Sequence, residues 1–163
     1  MGFGVKTARG LRSPKEMAMN LLTRREHSRK ELMAKLVARG VEDLQARAAI
    51  DELAVAGWQD DTRFAGSMVR SRAAGGYGPV RIRAELDTHG LERGLVAEAL
   101  DAYEGDWLEN ARALAWRRFG AGLADDRRLQ RRAADFLVRR GFAIADVQAA
   151  IKPVGLDRSS PAT

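Results

Sequence analysis

Three stretches of this chain share one pattern: a leucine, a glycine four residues later, and an apolar residue directly after the glycine. The stretches are residues 36–41, 86–91 and 137–142, and their glycines lie 50 and 51 residues apart. Another apolar residue follows ten positions after each glycine, at Ile50, Leu100 and Ile151. A helix that ends at a left-handed glycine and leads into a second helix produces this pattern. The spacing therefore predicts three similar helical units, each too small to bury a strong core alone, that pack against their neighbours.

Helix start signals divide each unit further. Ser13 and Ser28 are each followed three residues later by a glutamate, which is the capping-box pattern of a helix N-terminus. Asp60, Pro79 and Asp106 mark further starts, and the apolar residues between these signals follow helical spacing. We therefore predict an all-α fold, a tandem array of three three-helix units that is elongated and curved. The units are predicted at residues 14–57, 58–104 and 105–152, between a mobile basic N-terminal arm at 1–13 and a loose C-terminal tail at 153–163.

Composition excludes several kinds of site. The 163 residues include no cysteine and only two histidines, His27 and His89, which are interpreted as exposed residues at helix ends. The sequence therefore offers no thiolate metal site, no cysteine nucleophile and no evident catalytic set. No apolar run is long enough to cross a membrane, and the N-terminus lacks the apolar stretch of a signal peptide. These features predict a soluble cytoplasmic binding protein, not an enzyme, with no cofactor and no metal.

Arginine dominates the charge of the chain. There are 28 Lys and Arg, 23 of them arginine, against 22 Asp and Glu, which leaves a net charge of +6. The basic residues collect on the first and second predicted helices of each unit, and the acidic residues collect on the third. This bipolar pattern favours one surface for phosphates and another for a basic protein partner. For any single arginine, a merely solvated helix face is the alternative interpretation.

A glycine-rich segment and four aromatic residues are further candidates for contact with a ligand. Residues 75–78 (GGYG) lack the Gly-Lys-Ser/Thr of a phosphate-binding P-loop and are interpreted as a turn between helices. The helix that begins at Pro79 could still present backbone amides to a phosphate. Trp58, Phe64, Trp107 and Trp116 flank the predicted unit boundaries, and core packing there is favoured over base stacking.

Three motifs together resemble the bacterial RecX family. They are residues 22–32 (LTRREHSRKEL) with Lys35 and Leu36, residues 58–65 (WQDDTRFA), and residues 78–86 (GPVRIRAEL) with Gly90, Ala99 and Leu100. The resemblance covers residues 17–104 well and residues 106–152 more loosely. It implies tandem three-helix units that regulate the RecA recombinase by binding its filament on single-stranded DNA along the helical groove. Such binding blocks filament growth or promotes disassembly, and so inhibits ATP hydrolysis, strand exchange and SOS co-protease activity.

Charge placement and motif position together select twelve candidate contacts with RecA or DNA. Arginine suits this role because its planar fork binds phosphate or carboxylate with two hydrogen bonds. We expect a monomer that contacts single-stranded DNA directly or through RecA, with weak binding to duplex DNA as a further expectation. The candidates are Arg24, Arg25, Arg29 and Lys30 in the first unit, Arg70, Arg72, Arg81 and Arg83 in the second, and Arg127, Arg128, Arg131 and Arg132 in the third.

Two other functions fit the same residues. A stand-alone DNA-binding protein of the helix-turn-helix kind would bind duplex DNA with sequence preference and would not need RecA. A pure protein adaptor with mainly apolar contacts would bind with little dependence on salt. A steep salt slope on bare DNA favours the first of these, and a requirement for the filament favours the RecX-like function.

Overall fold

The computed structural model describes residues 12–152, so most of the predicted arm and the whole predicted tail lie outside the described residues. Within that range the chain is all-α, as predicted, with nine α-helices and one short 3-10 turn, η1, at Ala121–Ala124. The helices are α1 (Pro14–Leu22), α2 (Arg29–Val37), α3 (Asp43–Val55), α4 (Asp61–Ala74), α5 (Pro79–Asp87), α6 (Arg93–Asp101), α7 (Trp107–Phe119), α8 (Arg127–Arg139) and α9 (Ile144–Ile151).

The nine helices form three units of three, α1–α3, α4–α6 and α7–α9. Every extensive helix–helix contact lies within one unit, and each unit has its own apolar core. Leucine and isoleucine dominate the first core, whereas the third contains several alanines that let its helices approach closely. A tandem array follows, because the strong packing is local to each unit and the neighbouring units meet through smaller contacts.

The repeated leucine and glycine have the predicted structural roles. Leu36, Leu86 and Leu137 are fully buried in the three cores. The three glycines that follow them have φ angles of +85°, +68° and +86°, in the left-handed region. In the first and third units, the residue after the glycine donates its backbone N–H to the carbonyl of the repeated leucine, at 3.2 Å. The sequence pattern therefore encodes a buried anchor and the turn that directs the chain into the next helix.

The predicted helix starts are confirmed, with one difference. Ser13 and Glu16 form the complete capping box at α1, in which each side chain accepts a hydrogen bond from the other residue's backbone N–H. Ser28 likewise caps α2, but the carboxylate of Glu31 binds the guanidinium of Arg25 instead of returning to the cap. That difference arises because the preceding turn brings Arg25 back over the first turn of α2.

Of the four aromatic residues near the predicted unit boundaries, two pack against other residues and two are largely exposed. Phe64 is buried in the second core, and Trp107 stacks on Tyr103 with ring centroids 4.2 Å apart. The prediction that Trp58 and Trp116 pack at the junctions is wrong, because their side chains are 54 % and 59 % exposed. Polar side chains fill the first junction in place of Trp58, and the small residues Ala111 and Ala115 occupy the inward face of α7.

Candidate nucleic-acid and protein interface

The second helices of the three units, α2, α5 and α8, meet end to end. At the first junction, the C-terminus of α5 meets the N-terminus of α2, where Lys30 Nζ donates to the carbonyl of Thr88 at 2.8 Å. At the second junction, the C-terminus of α8 meets the N-terminus of α5, where the N–H of Gly78 donates to the carbonyl of Arg140 at 2.8 Å. The helix dipoles are aligned head to tail, which is a favourable arrangement. Most of the candidate arginines lie on these three helices.

The second junction corrects the expectation that α5 could present backbone amides to a phosphate. The N–H groups of Gly78 and Val80 donate to the carbonyls of Arg140 and Gly141, at 2.8 and 2.9 Å. A Cβ atom on Gly78 would lie 2.4 Å from the carbonyl oxygen of Gly141, so only glycine allows this approach. The glycine-rich segment therefore allows the backbones of two units to contact each other, and both of these N–H groups already have hydrogen-bond partners in the protein.

In the first unit, three of the four candidates have partners inside the protein. Arg25 binds Glu31, Arg29 pairs with Asp51, and Lys30 donates to the carbonyl of Thr88 in the next unit. Only the Arg24 side chain is exposed with no ion pair among the described residues. Three of the four candidates of this unit therefore act within its own structure or at its junction with the second unit.

In the second unit, Arg72 is held by Glu85. Its Nε and one terminal nitrogen donate to the two carboxylate oxygens, at 2.8 and 2.5 Å. These hydrogen bonds lower the pKa of Glu85 below its ordinary value, so the pair is charged at neutral pH. Arg70, Arg81 and Arg83 are exposed and have no ion pair among the described residues. They are the candidates of this unit that are available to a partner.

In the third unit, all four candidates are exposed on α8. Arg127, Arg128, Arg131 and Arg132 lie in its first six residues, and none forms an ion pair within residues 12–152. At this end the N-cap Asp126 accepts from the backbone N–H groups of Arg128 and Leu129, and Gln130 donates to the carbonyls of the preceding turn. This end of α8 is the most concentrated group of available positive charge on the described surface.

Three buried polar side chains, His27, Ser28 and Gln59, lie at the first junction. Ser28 Oγ lies 2.8 Å from His89 Nδ1, and Gln59 donates to Asp61 at 2.9 Å. The prediction that both histidines are exposed is wrong, because His27 is only 3 % exposed and His89 is half-buried against the ring of Phe64. Gln59 of the second unit donates to the backbone carbonyl of His27 at 3.4 Å, and this contact between residues 32 positions apart is not visible in the local sequence.

The burial of His27 predicts a stability that depends on pH. Desolvation lowers the pKa of His27 below its ordinary value. The hydrogen bond to the Arg25 carbonyl and the charge of Glu31 oppose this effect, and the charges of Arg25 and Lys35 add to it. The imidazole of His27 therefore binds a proton in the unfolded state near pH 6.5, whereas in the folded state it binds one only at lower pH. Because the unfolded state binds more protons in this range, the free energy of unfolding should fall as the pH drops from 7.5 to 5.5. Urea denaturation at both pH values tests this, and a His27→Gln variant should lose most of the difference. An equal pH effect in that variant would contradict the assignment to His27.

Some acidic residues of the third helices pair with basic residues of their own unit. Asp51 and Glu52 of α3 pair with Arg29 and Lys15. Glu98 and Asp101 of α6 are exposed and have no ion pair among the described residues. Among the acids of α3 and α6, those that remain without an ion pair in the described residues are therefore Asp43 in the first unit and Glu98 and Asp101 in the second.

Sequence reasoning missed Tyr77 and Arg140 as members of the second junction. The guanidinium carbons of Arg81 and Arg140 lie 4.7 and 5.0 Å from the centre of the Tyr77 ring. A signal existed, because Arg140 directly precedes the cap glycine of the third unit, where His89 stands in the second. Both residues contact the unit before their own, so this repeat position marks the junction.

Residues 12–152 contain no cluster of three or more histidine or carboxylate side chains that could hold a metal ion. None of the helices in the same range has the length and apolar character needed to span a membrane.

Comparison with known proteins gives one consistent result. The chain matches the families described as the first, second and third three-helix domains of RecX, over residues 15–53, 60–100 and 104–151. A regulatory protein RecX from Stenotrophomonas maltophilia (strain K279a) is 59 % identical over 130 residues, which cover 80 % of each chain. One from Xanthomonas axonopodis pv. citri (strain 306) is 56 % identical over 140 residues, covering 86 % of each chain.

Solved structures share the fold at lower sequence identity. The crystal structure of RecX from Lactobacillus salivarius superimposes with a TM-score of 0.70 at 24 % identity, covering 85 % of this chain and 92 % of that one. A second crystal structure of a regulatory protein RecX gives a TM-score of 0.68 at 20 % identity, covering 83 % and 71 %.

Proposed function

Because this chain belongs to the RecX family of regulatory proteins, we propose that it is a negative regulator of the RecA recombinase. It binds the RecA filament on single-stranded DNA along the groove and blocks extension or promotes disassembly. ATP hydrolysis, strand exchange and SOS co-protease activity fall as a result. The observation that carries this proposal is the end-to-end placement of α2, α5 and α8 across three repeated units, in which α5 and α8 bear most of the candidate arginines that have no ion pair among the described residues.

A protein with three similar units can contact a filament at more than one site. Each unit makes a separate, weak contact, and the fixed junctions hold the next unit close to its own site on the filament. The effective concentration of that second contact is high, so overall affinity exceeds that of any single unit. The exposed candidate arginines of α5 and α8 contact DNA phosphates or carboxylates of the filament, and the exposed acids of α6 contact basic protein groups. The protein acts in the cytoplasm as a monomer, without a cofactor.

The alternative, a stand-alone helix-turn-helix protein, is less well supported by the charges. In a three-helix DNA-binding unit of that kind, the third helix enters the major groove. The third helices here are acidic, with Asp43, Asp51 and Glu52 on α3 and Glu98 and Asp101 on α6. Those carboxylates would repel the phosphates that line the groove.

Binding measurements separate the candidate functions. Fluorescently labelled single-stranded DNA, the same DNA coated with RecA and an ATP analogue, and duplex DNA are each titrated with the protein at rising salt. We expect binding to the filament to persist at salt concentrations that abolish binding to either bare DNA. Sequence-dependent duplex binding without RecA would favour the alternative function and contradict the proposal. Filament binding that hardly changes with salt would favour an adaptor with mainly apolar contacts.

A further inference from the structure

The second junction combines arginines with aromatic rings. Tyr77 lies between the second and third units, and the guanidinium groups of Arg81 and Arg140 both lie over its ring. Arg81 belongs to α5, whereas Arg140 is the C-cap of α8. Such cation–π contacts hold a guanidinium over the ring and leave N–H groups at its edge to bind an anion. One nitrogen of Arg140, Nη1, also donates to the carbonyl of Gly75 at 3.4 Å, which holds this side chain at the junction. The two arginines converge only because the junction is closed.

The aromatic and basic surface continues into the third unit. The guanidinium of Arg140 also lies 5.3 Å from the ring centre of Phe136, and that of Arg118 lies 5.8 Å from it. Phe136 packs edge-on against Phe119, with centroids 5.8 Å apart. These rings form one wall of a cleft that is also lined by Arg118, Arg132, Asp135 and Arg139.

The charge of this surface is almost entirely positive. None of the arginines at Tyr77 and Phe136 forms an ion pair within the described residues, and Asp135 is the one carboxylate among the residues lining the cleft. Arg128, Arg132 and Arg139 are spaced by four and seven residues, so they lie along one face of α8. The row extends over about 16 Å of helix. A single acidic side chain would satisfy only a small part of this charge.

We propose that Tyr77, Arg81, Arg140 and the adjoining face of α8 form a binding site for the phosphodiester backbone of single-stranded nucleic acid. Alternating arginines and aromatic rings are the combination by which proteins hold single strands without reading their sequence. An extended row of forked cations fits a chain of phosphates better than it fits a short acidic peptide. The site deepens the proposed function, on which its biological role rests, and it requires both units because neither contains both arginines.

The test uses the full-length protein and a fluorescently labelled oligo-dT, with no recombinase present. Anisotropy titrations at several salt concentrations compare an R81Q/R140Q variant with an R93Q/R117Q variant, which removes the same charge from exposed sites in the same two units. We expect R81Q/R140Q to bind about ten-fold more weakly or worse, with a salt slope smaller by about 1.4, since each phosphate contact on a single strand contributes about 0.7. The control variant should stay close to the unaltered protein.

Two substitutions of Tyr77 test whether its ring positions the arginines. Tyr77→Phe keeps the aromatic face and should keep the affinity, whereas Tyr77→Leu should lose several-fold. Thermal unfolding identifies any variant that fails to fold, and the Phe variant keeps the test decisive in that case. Equal losses in R81Q/R140Q and in the control would overturn the proposal. It would also be overturned if R81Q/R140Q lost binding to a poly-glutamate peptide but kept its affinity for oligo-dT. Because RecA is absent, failure of the proposed regulation leaves these outcomes unaffected.

Discussion

Replacing Gly141 with alanine is expected to lower the free energy of unfolding by more than about 3 kcal/mol, whereas the same change at Gly40 costs only about 1 kcal/mol. The two glycines occupy equivalent repeat positions, with φ angles of +86° and +85°. A Cβ on Gly141 would lie 2.3 Å from the Cβ of Arg81 and 2.6 Å from its backbone nitrogen. A Cβ on Gly40 would meet nothing within 4 Å. Both variants therefore carry the left-handed strain, and only one carries the clash.

Urea denaturation of the two variants measures the difference in their free energies of unfolding. A third variant, Gly78→Ala, separates the effect of the steric clash from that of the left-handed backbone strain. Gly78 has a φ of −90°, which alanine adopts freely, yet its Cβ would lie 2.4 Å from the carbonyl oxygen of Gly141. We expect Gly78→Ala to be nearly as damaging as Gly141→Ala. Equal, small losses at Gly40 and Gly141 would contradict the close packing of the second junction.

Replacing Arg127 and Arg128 together with glutamine is expected to stabilise the protein and weaken its binding to the filament. Both residues lie in the first turn of α8, which has no acidic residue, so their charges oppose the positive end of the helix dipole. Their removal should raise the free energy of unfolding by roughly 0.5–1 kcal/mol. If they contact phosphates, affinity for the filament should fall about ten-fold, with a smaller salt slope.

A substitution of one arginine at the C-terminal end of a helix provides the matched control for this experiment. Arg117 is exposed in the last turn of α7, where a positive charge favours the helix dipole. Arg117→Gln should lower stability slightly and leave filament binding unchanged. Urea denaturation and anisotropy on RecA-coated DNA give the two readouts. Unchanged filament binding by R127Q/R128Q would remove this end of α8 from the interface.

Much of each unit was predictable because its signals are local. The leucine and glycine of the repeat lie four residues apart, so one stretch of sequence reveals both the core anchor and the helix end. The caps at Ser13, Asp60 and Asp106 are similarly encoded within a few residues. Local hydrogen bonding and helical periodicity determine these features, and tertiary packing did not override them.

The junctions were not predictable because their contacts join distant parts of the chain. Ser28 and His89 are 61 residues apart, and no local pattern pairs them. The burial of His27 and the occupation of the amides before α5 follow from the same unit-to-unit packing. The candidate arginines were chosen by charge, and charge alone does not distinguish Arg72, which Glu85 holds, from Arg83, which is exposed.

The most direct test of the account is the rate of ATP hydrolysis by the cognate RecA on single-stranded DNA, with this protein added in substoichiometric amounts. Filament length is followed in parallel by electron microscopy, and circular dichroism verifies that the added protein is folded. The account predicts that hydrolysis falls and that filaments shorten together, well before the protein equals RecA in concentration. Unchanged hydrolysis and filament length up to equal concentration, across a range of salt, would contradict it.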